Sequence, residues 1–245
     1  MSAVGIIPAR FRASRFPGKP LTPIAGRPML HHVIEGARRA KRLREVWVAT
    51  DDERIAEAAA AIGAPVAMTS PDHPTGTDRL AEAAAKLADD VVVNVQGDEP
   101  LIEGFVIDAA VEALEADAGA PMATVAHALE PGALDDPNRV KLVLDRSGRA
   151  LYFSRAPIPF RRADAAPPRW LQHVGLYAYR REFLLRFVGL AQGEAERAEG
   201  LEQLRALEHG FKVRCAVIEG WRSVPVDVPA DVARVEARLK ETGRC

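Results

Sequence analysis

The sequence alternates short apolar runs with amphipathic stretches, and this order constrains the fold more than any other feature of the chain. The apolar runs have the length of strands, and the stretches between them carry alanine and leucine at helical spacing. Such alternation is typical of a parallel sheet covered by helices. The predicted strands are Val4–Ile7, Val46–Ala49, Val66–Thr69 and Val91–Val95, and the predicted helices are Met29–Ala40, Glu53–Ala61, Asp78–Ala88 and Ile107–Ala116.

The second half of the chain is less regular and predicts added antiparallel strands. The strand candidates there are Met122–Ala126, Lys141–Asp145 and His173–Arg180. Arg161–Arg169, rich in alanine and proline, predicts an exposed loop, and Gly193–Gly200 predicts a polar connection.

Composition excludes several classes of protein. A chain of 245 residues with 48% hydrophobic residues can bury a full core, and a net charge of −1 gives no global attraction to nucleic acid or membrane. There is no apolar run of signal-peptide or membrane-spanning length, so we expect a cytoplasmic protein without membrane insertion. The two cysteines, Cys215 and Cys245, predict neither a disulfide framework nor a cysteine metal site.

A basic, proline-rich loop follows the first predicted strand. It contains four cations, Arg10, Arg12, Arg15 and Lys19, and no acidic residue. Guanidinium and ammonium groups bind phosphate oxygens, and open α/β sheets bind ligands at the carboxyl ends of their strands. The loop matches neither the P-loop nor the Gly-x-Gly-x-x-Gly pattern. We therefore predict a phosphate site of another kind, with a solvated basic loop as the alternative.

Two carboxylates stand in unusual sequence contexts. Asp98 directly follows the apolar run Val91–Val95, and Asp227 lies between prolines and valines rather than in a charged run. Mg²⁺ commonly takes one or two protein carboxylates plus phosphate oxygens of the substrate. A metal site formed by Asp98 and Asp227 is one interpretation, and a helix-capping role for Asp98 is the other.

Short motifs are spread over nearly the whole chain. They are Pro8-Ala9-Arg10, Arg15-x-Pro-Gly-Lys-Pro, Ala49-Thr50-Asp51, Thr75-Gly76-Thr77-Asp78-Arg79, Val95-Gln96-Gly97-Asp98-Glu99-Pro100, Tyr152-Phe153-Ser154-Arg155 and Leu201-Glu202-Gln203-Leu204-Arg205. Together they resemble the motifs of the 3-deoxy-manno-octulosonate (Kdo) cytidylyltransferases, the CMP-Kdo synthetases. Sialic-acid cytidylyltransferases share the amino-terminal pattern, whereas the last two motifs resemble the Kdo branch. The carboxyl-terminal motif departs from the usual Gly-Val-Asp-Thr-Pro-Glu-Asp and reads Pro225-Val226-Asp227-Val228-Pro229-Ala230-Asp231.

The resemblance implies a fold and an activity. The implied fold is a single α/β domain over residues 1–245, of the three-layer nucleotidyltransferase type, with a mostly parallel central sheet and a dimerisation arm from the second half. The implied reaction transfers CMP from CTP to the anomeric hydroxyl of Kdo with release of pyrophosphate, for lipopolysaccharide biosynthesis. Mg²⁺ is the implied cofactor, and a homodimer is the implied assembly.

The resemblance also implies roles for individual residues. It assigns catalysis to Arg10, Arg15, Lys19, Asp98 and Asp227, with Asp98 and Asp227 as metal ligands. The implied nucleotide-binding residues are Ala9, Arg10, Ser14, Arg15, Lys19, Arg79 and Gln96. The implied sugar-binding residues are Gln96, Arg155, His173, Tyr177, Glu202 and Gln203.

Several of these residues also have ordinary structural explanations. His173 in a strand is compatible with a structural histidine, and Glu202 with Arg205 at helical spacing is compatible with a surface ion pair. His173 and Tyr177, four residues apart on one strand, would share a face, as a pocket wall requires. The remaining functional alternatives are a cytidylyltransferase for 8-amino-Kdo or a nine-carbon sugar acid, and a noncatalytic nucleotide-binding homologue.

Overall fold

The computed structural model describes residues 1–12, 16–130 and 132–241. These residues divide into two compact units. The first comprises Met1–Asp108 and the segment that begins at Ser223, and the second comprises Ala109–Arg222. The prediction of a single domain over residues 1–245 stays a prediction.

The first unit is built on a parallel sheet. Its strand order is β6-β1-β4-β5, and all three pairings are parallel. The elements, in chain order, are β1 (Ala3–Ala9), β2 (Pro23–Ile24), β3 (Arg27–Pro28), α1 (Met29–Ala37), β4 (Glu45–Thr50), α2 (Glu53–Ala60), β5 (Val66–Met68), α3 (Gly76–Ala85), β6 (Val91–Asn94) and α4 (Gly104–Glu115). The boundary between the units falls within α4.

The strands of this sheet form where the sequence is apolar on both faces. All four residues of β6 are buried, as are six of the seven residues of β1. Strands that are covered by helices on both faces show such continuous apolar runs. The register pairs Ala9 with Thr50, so the carboxyl ends of β1 and β4 lie side by side.

The second unit contains a mixed sheet. Strand β10 pairs antiparallel with β7 and β8, β8 pairs antiparallel with β9, and β11 pairs parallel with β7. The elements are β7 (Met122–Ala128), β8 (Lys141–Leu144), β9 (Ala150–Ser154), β10 (Leu171–Arg180), α5 (Arg181–Phe187), α6 (Glu194–Glu199), α7 (Leu204–Glu208) and β11 (Val213–Ile218). The expected antiparallel strands are therefore present.

One predicted connection is wrong. Gly193–Gly200 contains the helix α6, and its Glu196 is buried. The charged composition of this stretch predicted solvent exposure, but Arg205 neutralises the Glu196 carboxylate inside the unit. The expected loop at Arg161–Arg169 is confirmed, because no helix or strand forms there.

The last described element is the helix α8 (Asp231–Glu241), which belongs to the first unit and contributes to its apolar core. The backbone N–H of Ala25 donates to Glu236 Oε1 at 2.9 Å. An apolar cluster fixes the helix and the preceding segment, and it consists of Ile24, Met29, Leu101, Val226, Val235 and Leu239. This cluster buries Val226, the residue immediately before Asp227.

The parallel sheet and the mixed α/β composition confirm the predicted fold class, whereas the dimerisation arm stays a prediction. Across the described residues, every helix is too short or too polar to cross a bilayer.

Candidate active site

A cavity of about 560 Å³ opens at the carboxyl edge of the parallel sheet. Pro8, near the end of β1, lines this cavity together with Gly76 and Gly97, which come from two other segments. A Cβ at Gly97 would lie 3.4 Å from the Pro8 carbonyl oxygen, and one at Gly76 would lie 3.7 Å from Pro8 Cγ. Both distances are ordinary van der Waals contacts, which shows that the two segments pack against the end of β1. The lining residues are Pro8, Ala9, Arg10, Arg12, Phe16, Lys19, Pro20, Gly76, Gln96, Gly97, Asp98 and Asp227.

The basic loop is closed at its base by backbone and ring contacts. The N–H of Gly18 donates to the Phe11 carbonyl oxygen at 2.9 Å, and Gly18 has a φ of 73°. Arg54 of α2 places its guanidinium carbon 3.4 Å from the centre of the Phe11 ring. The same guanidinium contacts both oxygens of Asp52, at 2.9 and 2.6 Å. These contacts connect Phe11 and Gly18 of the loop to each other and connect Phe11 to helix α2.

Lys19 lies between the two carboxylates of the cavity. Its Nζ donates to Asp98 Oδ2 at 2.9 Å and lies 3.7 Å from Asp227 Oδ1. Only 17% of the Lys19 side chain is exposed, so water screens these charges less than on an open surface. The ammonium offsets the repulsion between two acidic groups that face the same cavity.

Backbone contacts bring Asp227 to this position. The N–H of Val226 donates to the Asp98 carbonyl oxygen at 2.9 Å. Asp231 Oδ2, at the start of α8, accepts from the N–H groups of Asp227 and Val228, at 2.8 and 3.0 Å, and so ties the segment before the helix to its first residue. Burial is the largest influence on the Asp231 carboxyl and raises its pKa, but these two N–H groups and the charges of Arg234 and Lys19 together bring that pKa below its usual value.

Glu99, next to Asp98, is a buried carboxyl group. It is 6% exposed, and the Ser223 hydroxyl donates to its Oε1. Within the described part of the chain, Glu99 Oε2 has no hydrogen-bond partner. Burial raises the pKa of Glu99 to about 8, and the nearby charges of Asp98 and Asp227 act in the same direction.

Arg79 lies behind the cavity rather than on its surface. Its guanidinium lies 3.0 Å from Asp51 Oδ1 and donates to the Thr69 hydroxyl, so it links the carboxyl ends of β4 and β5. Burial lowers the pKa of Arg79, and Asp51 opposes that effect. Its predicted contact with the nucleotide stays a prediction.

The cavity brings together most of the residues expected to bind nucleotide and metal. Those that line it are Ala9, Arg10, Lys19, Gln96, Asp98 and Asp227. Ser14 and Arg15 lie outside the described residues, as does Cys245.

The second unit contains the other group of expected residues, beginning with His173. Its Nε2 lies 3.0 Å from Thr124 Oγ1, which also lies 2.8 Å from the Leu176 carbonyl oxygen. The single hydroxyl proton of Thr124 goes to a carbonyl, so His173 Nε2 carries a proton and donates, and Nδ1 is left as an acceptor. Burial lowers the pKa of His173 to about 3, which keeps the ring neutral.

Tyr177, Glu202 and Gln203 accompany His173. The rings of His173 and Tyr177 lie 5.4 Å apart, which places them on one side of β10 despite a bulge between them. Burial raises the pKa of Tyr177 well above 10, and the charge of Glu202 adds to this. Gln203 is 5% exposed, and its Nε2 has no hydrogen-bond partner in the described ranges. His173 and Tyr177 thus present neutral polar rings on one side of β10.

Arg155 has a different environment from the one expected. Its guanidinium donates to the carbonyl oxygens of Glu199 and Pro137, at 2.7 and 2.9 Å, and its backbone N–H donates to the Glu199 carboxylate at 2.9 Å. These contacts hold the turn after β9 against the end of α6. Sugar binding by Arg155 stays a prediction.

The interpretation of Glu202 and Arg205 as a surface ion pair is wrong. Arg205 is buried and makes a two-pronged contact with the buried Glu196, at 2.8 and 2.6 Å, whereas Glu202 Oε1 lies 3.7 Å from it. Helical spacing correctly placed Glu202 near Arg205, but Glu196 of helix α6 makes the shorter contacts with the guanidinium.

Sequence reasoning assigned no site role to several residues that contribute to the cavity. Gly76 and Phe16 line the cavity, and Glu99 supports it from behind. The signal for Glu99 was an acidic residue between Asp98 and the apolar segment that starts at Pro100, a context that favours burial.

The Asp98 and Asp227 carboxylates fit a Mg²⁺ ion that takes its other ligands from water and from phosphate oxygens of a bound nucleotide. The fit depends on that nucleotide, because the described residues contain no cluster of three or more His, Cys, Asp or Glu side chains able to hold a metal by themselves.

A parallel sheet with a basic loop and two carboxylates at its carboxyl edge defines a nucleotide-binding α/β protein. Residues 4–214 match the family described as Cytidylyltransferase. The 3-deoxy-manno-octulosonate cytidylyltransferase of Anaeromyxobacter sp. (strain Fw109-5) is 53% identical over 96% of this chain and 95% of its own. That of Syntrophobacter fumaroxidans is also 53% identical, over 96% of each chain.

A solved structure of CMP:2-keto-3-deoxy-manno-octonic acid synthetase complexed with CTP is 42% identical. It superposes with a TM-score of 0.93 over 99% of this chain and 100% of that one. This chain belongs to the cytidylyltransferase family and, within it, to the 3-deoxy-manno-octulosonate cytidylyltransferases.

Proposed function

We propose that this protein transfers CMP from CTP to the anomeric hydroxyl of Kdo and releases pyrophosphate. The observation that carries the proposal is the placement of Lys19 between Asp98 and Asp227, in a cavity that the basic loop also lines. The names of the 53% identical relatives support Kdo as the sugar. The product would supply lipopolysaccharide biosynthesis.

The cavity supports binding of the triphosphate. Arg10, Arg12 and Lys19 are its cations, and Gly76 places the amino terminus of α3 at its wall. Guanidinium groups grip phosphate oxygens in pairs, and a helix amino terminus favours an anion. We assign nucleotide binding to Ala9, Arg10, Lys19 and Gln96, and also to Ser14, Arg15 and Arg79 on the strength of the motifs alone.

Asp98 and Asp227 are the residues that would hold Mg²⁺. When bound, the ion would neutralise phosphate charge and make the attacking hydroxyl more acidic.

We assign sugar binding to a set of polar side chains that offer both hydrogen-bond donors and acceptors. With the proton on Nε2, His173 Nδ1 can accept a hydrogen bond, and the buried amide of Gln203 can donate one. Tyr177 stays protonated because burial raises its pKa. The proposed sugar-binding residues are Gln96, Arg155, His173, Tyr177, Glu202 and Gln203.

The reaction is a single in-line displacement at the α-phosphorus. The anomeric oxygen forms the new bond to phosphorus, the bond from phosphorus to the bridging oxygen breaks, and that oxygen leaves with pyrophosphate. The hydroxyl proton passes to solvent. Lys19 and the basic loop stabilise the charge that develops on the departing pyrophosphate, which is the main contribution that fixed cations make to such a step.

Pyrophosphate release from CTP tests this function. Kdo, 8-amino-Kdo and N-acetylneuraminate serve as parallel acceptors, with omission of Mg²⁺ as the control. We expect release to depend on Kdo and on the metal. Asp98→Asn should abolish it, whereas Asp72→Asn, at an exposed residue away from the cavity, should not. Preference for another acceptor would reassign the sugar, and CTP binding without release would indicate a noncatalytic nucleotide-binding protein.

We also propose that the chain acts as one cytidylyltransferase domain in the cytoplasm, as a homodimer that associates through its second half. Leu151 and Phe160 support the dimer, because these apolar side chains are 60% and 87% exposed in the single chain. Sedimentation velocity should show a dimer, and Leu151→Asp with Phe160→Asp should shift it to a monomer. A wild-type monomer at micromolar concentration would refute the assembly.

A further inference from the structure

Glu99 and Ser223 form a buried hydrogen bond directly behind the two cavity carboxylates. The residues are 6% and 8% exposed, and 124 positions separate them in the sequence. Neither lines the cavity, and the proposed reaction uses neither side chain. The pair therefore needs an explanation of its own.

Burying a carboxyl group costs more than burying an apolar one. An apolar pair of the same shape would hold two segments together without desolvating polar groups. A hydrogen bond, unlike an apolar contact, fixes distance and direction. The cost is clear at Glu99, since its Oε2 has no hydrogen-bond partner among the described residues.

The Ser223–Glu99 hydrogen bond joins the segment after β6 to the segment before α8. These two segments carry Asp98 and Asp227, which line the cavity. The Val226 N–H already donates to the Asp98 carbonyl oxygen at 2.9 Å. With the Ser223–Glu99 bond, the segment before Asp227 is attached at two successive residues, Asp98 and Glu99. Asp227 itself has a side chain that is 56% exposed, so contacts of its own side chain restrain it weakly.

We propose that Glu99 and Ser223 are positioning residues that set the separation of Asp98 and Asp227 around Lys19. This inference rests on the proposed function, because the separation has a consequence only where the two carboxylates act together on metal and nucleotide. Groups that orient metal-binding side chains commonly change metal affinity or activity by about 10- to 100-fold when they are removed.

The test measures CTP binding by calorimetry without sugar, once with Mg²⁺ and once with EDTA. The variants are Ser223→Ala and Glu99→Gln. The matched control is Ser147→Ala, which removes a serine–carboxylate hydrogen bond in an exposed turn, where Ser147 Oγ donates to Asp145 Oδ1 at 2.7 Å. The readout is the ratio of the two dissociation constants, that is, the affinity gained from the metal.

We expect Ser223→Ala to lower the affinity gained from Mg²⁺ by about 10-fold and to leave the dissociation constant in EDTA unchanged. Glu99→Gln should retain the gain, because its amide oxygen still accepts from Ser223. Ser147→Ala should match the wild type. If Ser223→Ala does not fold, Ser223→Thr and Ser223→Val replace it, since these differ in the hydroxyl and share their shape.

The inference would be overturned if the variant that lacks the hydroxyl gained as much CTP affinity from Mg²⁺ as the wild type does. Equal weakening of CTP binding with and without Mg²⁺ would also overturn it, because it would indicate a purely structural bond. If the wild type gains no affinity from Mg²⁺, the proposed function fails together with the inference. If the wild type gains affinity from Mg²⁺ and Ser223→Ala gains equally, the inference alone fails.

Discussion

Lys19 Nζ lies 2.9 Å from Asp98 Oδ2, although 79 positions separate the two residues in the chain. The contact places a cation and a carboxylate on the same wall of one cavity. Because Lys19 Nζ also lies 3.7 Å from Asp227 Oδ1, its charge offsets the repulsion between Asp98 and Asp227.

Lys19→Met should lower kcat/KM for CTP by about 100-fold or more, because a fixed donor to developing charge is lost. Pyrophosphate release at saturating Kdo measures the effect. Lys86→Met is the matched control, since this exposed lysine pairs with Glu82 on the surface of α3 at 3.1 Å. Near-normal turnover of the Lys19 variant would remove this residue from the proposed mechanism.

Arg54→Gln should raise KM for CTP by about 2- to 5-fold with little change in kcat. The guanidinium stacks on Phe11 at the base of the basic loop, and such exposed contacts contribute about 0.5–1 kcal/mol. The cap of α2 is retained, because Asp52 Oδ1 accepts from the backbone N–H of residue 54. Arg238→Gln, which removes a surface pair with Glu241, should leave KM unchanged. An unchanged KM for Arg54→Gln would show that the stacking does not organise the loop.

Gln203→Leu should weaken the use of Kdo without weakening the fold. The buried Gln203 Nε2 has no hydrogen-bond partner in the described chain, and such an unpaired donor costs about 1–3 kcal/mol. Urea unfolding should therefore give an unchanged or higher free energy of unfolding, while KM for Kdo rises. Gln192→Leu is the control, because it makes the same substitution at a glutamine whose amide does have a partner. Gln192 Nε2 donates to Glu196 Oε1 at 3.2 Å. A clear loss of stability in Gln203→Leu would indicate a structural role instead.

His173 should make the fold less stable in acid. Burial lowers its pKa to about 3 from an ordinary value near 6.5, so between these two values the unfolded chain binds a proton that the folded chain excludes. The free energy of unfolding is therefore highest above pH 6.5 and falls as the pH decreases toward 3, by up to about 1.4 kcal/mol for each pH unit. Urea unfolding between pH 7 and 4.5 should show a shallower slope for His173→Gln than for the wild type. Equal slopes would mean that His173 is protonated in the folded protein.

Local sequence patterns predicted the parallel half of the fold well. The predicted strand Val91–Val95 corresponds to β6, and the predicted helix Glu53–Ala61 corresponds to α2, because an apolar run and a helical period act over a few residues. Strand β9 and helix α8 were not predicted. Both elements do carry a local pattern, since residues 150–153 form an apolar run and Val232, Val235 and Leu239 recur at helical spacing in α8.

The sequence by itself determined that a basic loop follows the first strand and that Asp98 follows another, because residues adjacent in the chain cannot be separated by folding. Only the tertiary structure decided which distant groups meet. It placed Asp227 beside Lys19, gave Arg205 to Glu196 rather than Glu202, and buried Glu99 against Ser223. Such choices depend on the packing of segments that are remote in sequence, which local propensity does not encode.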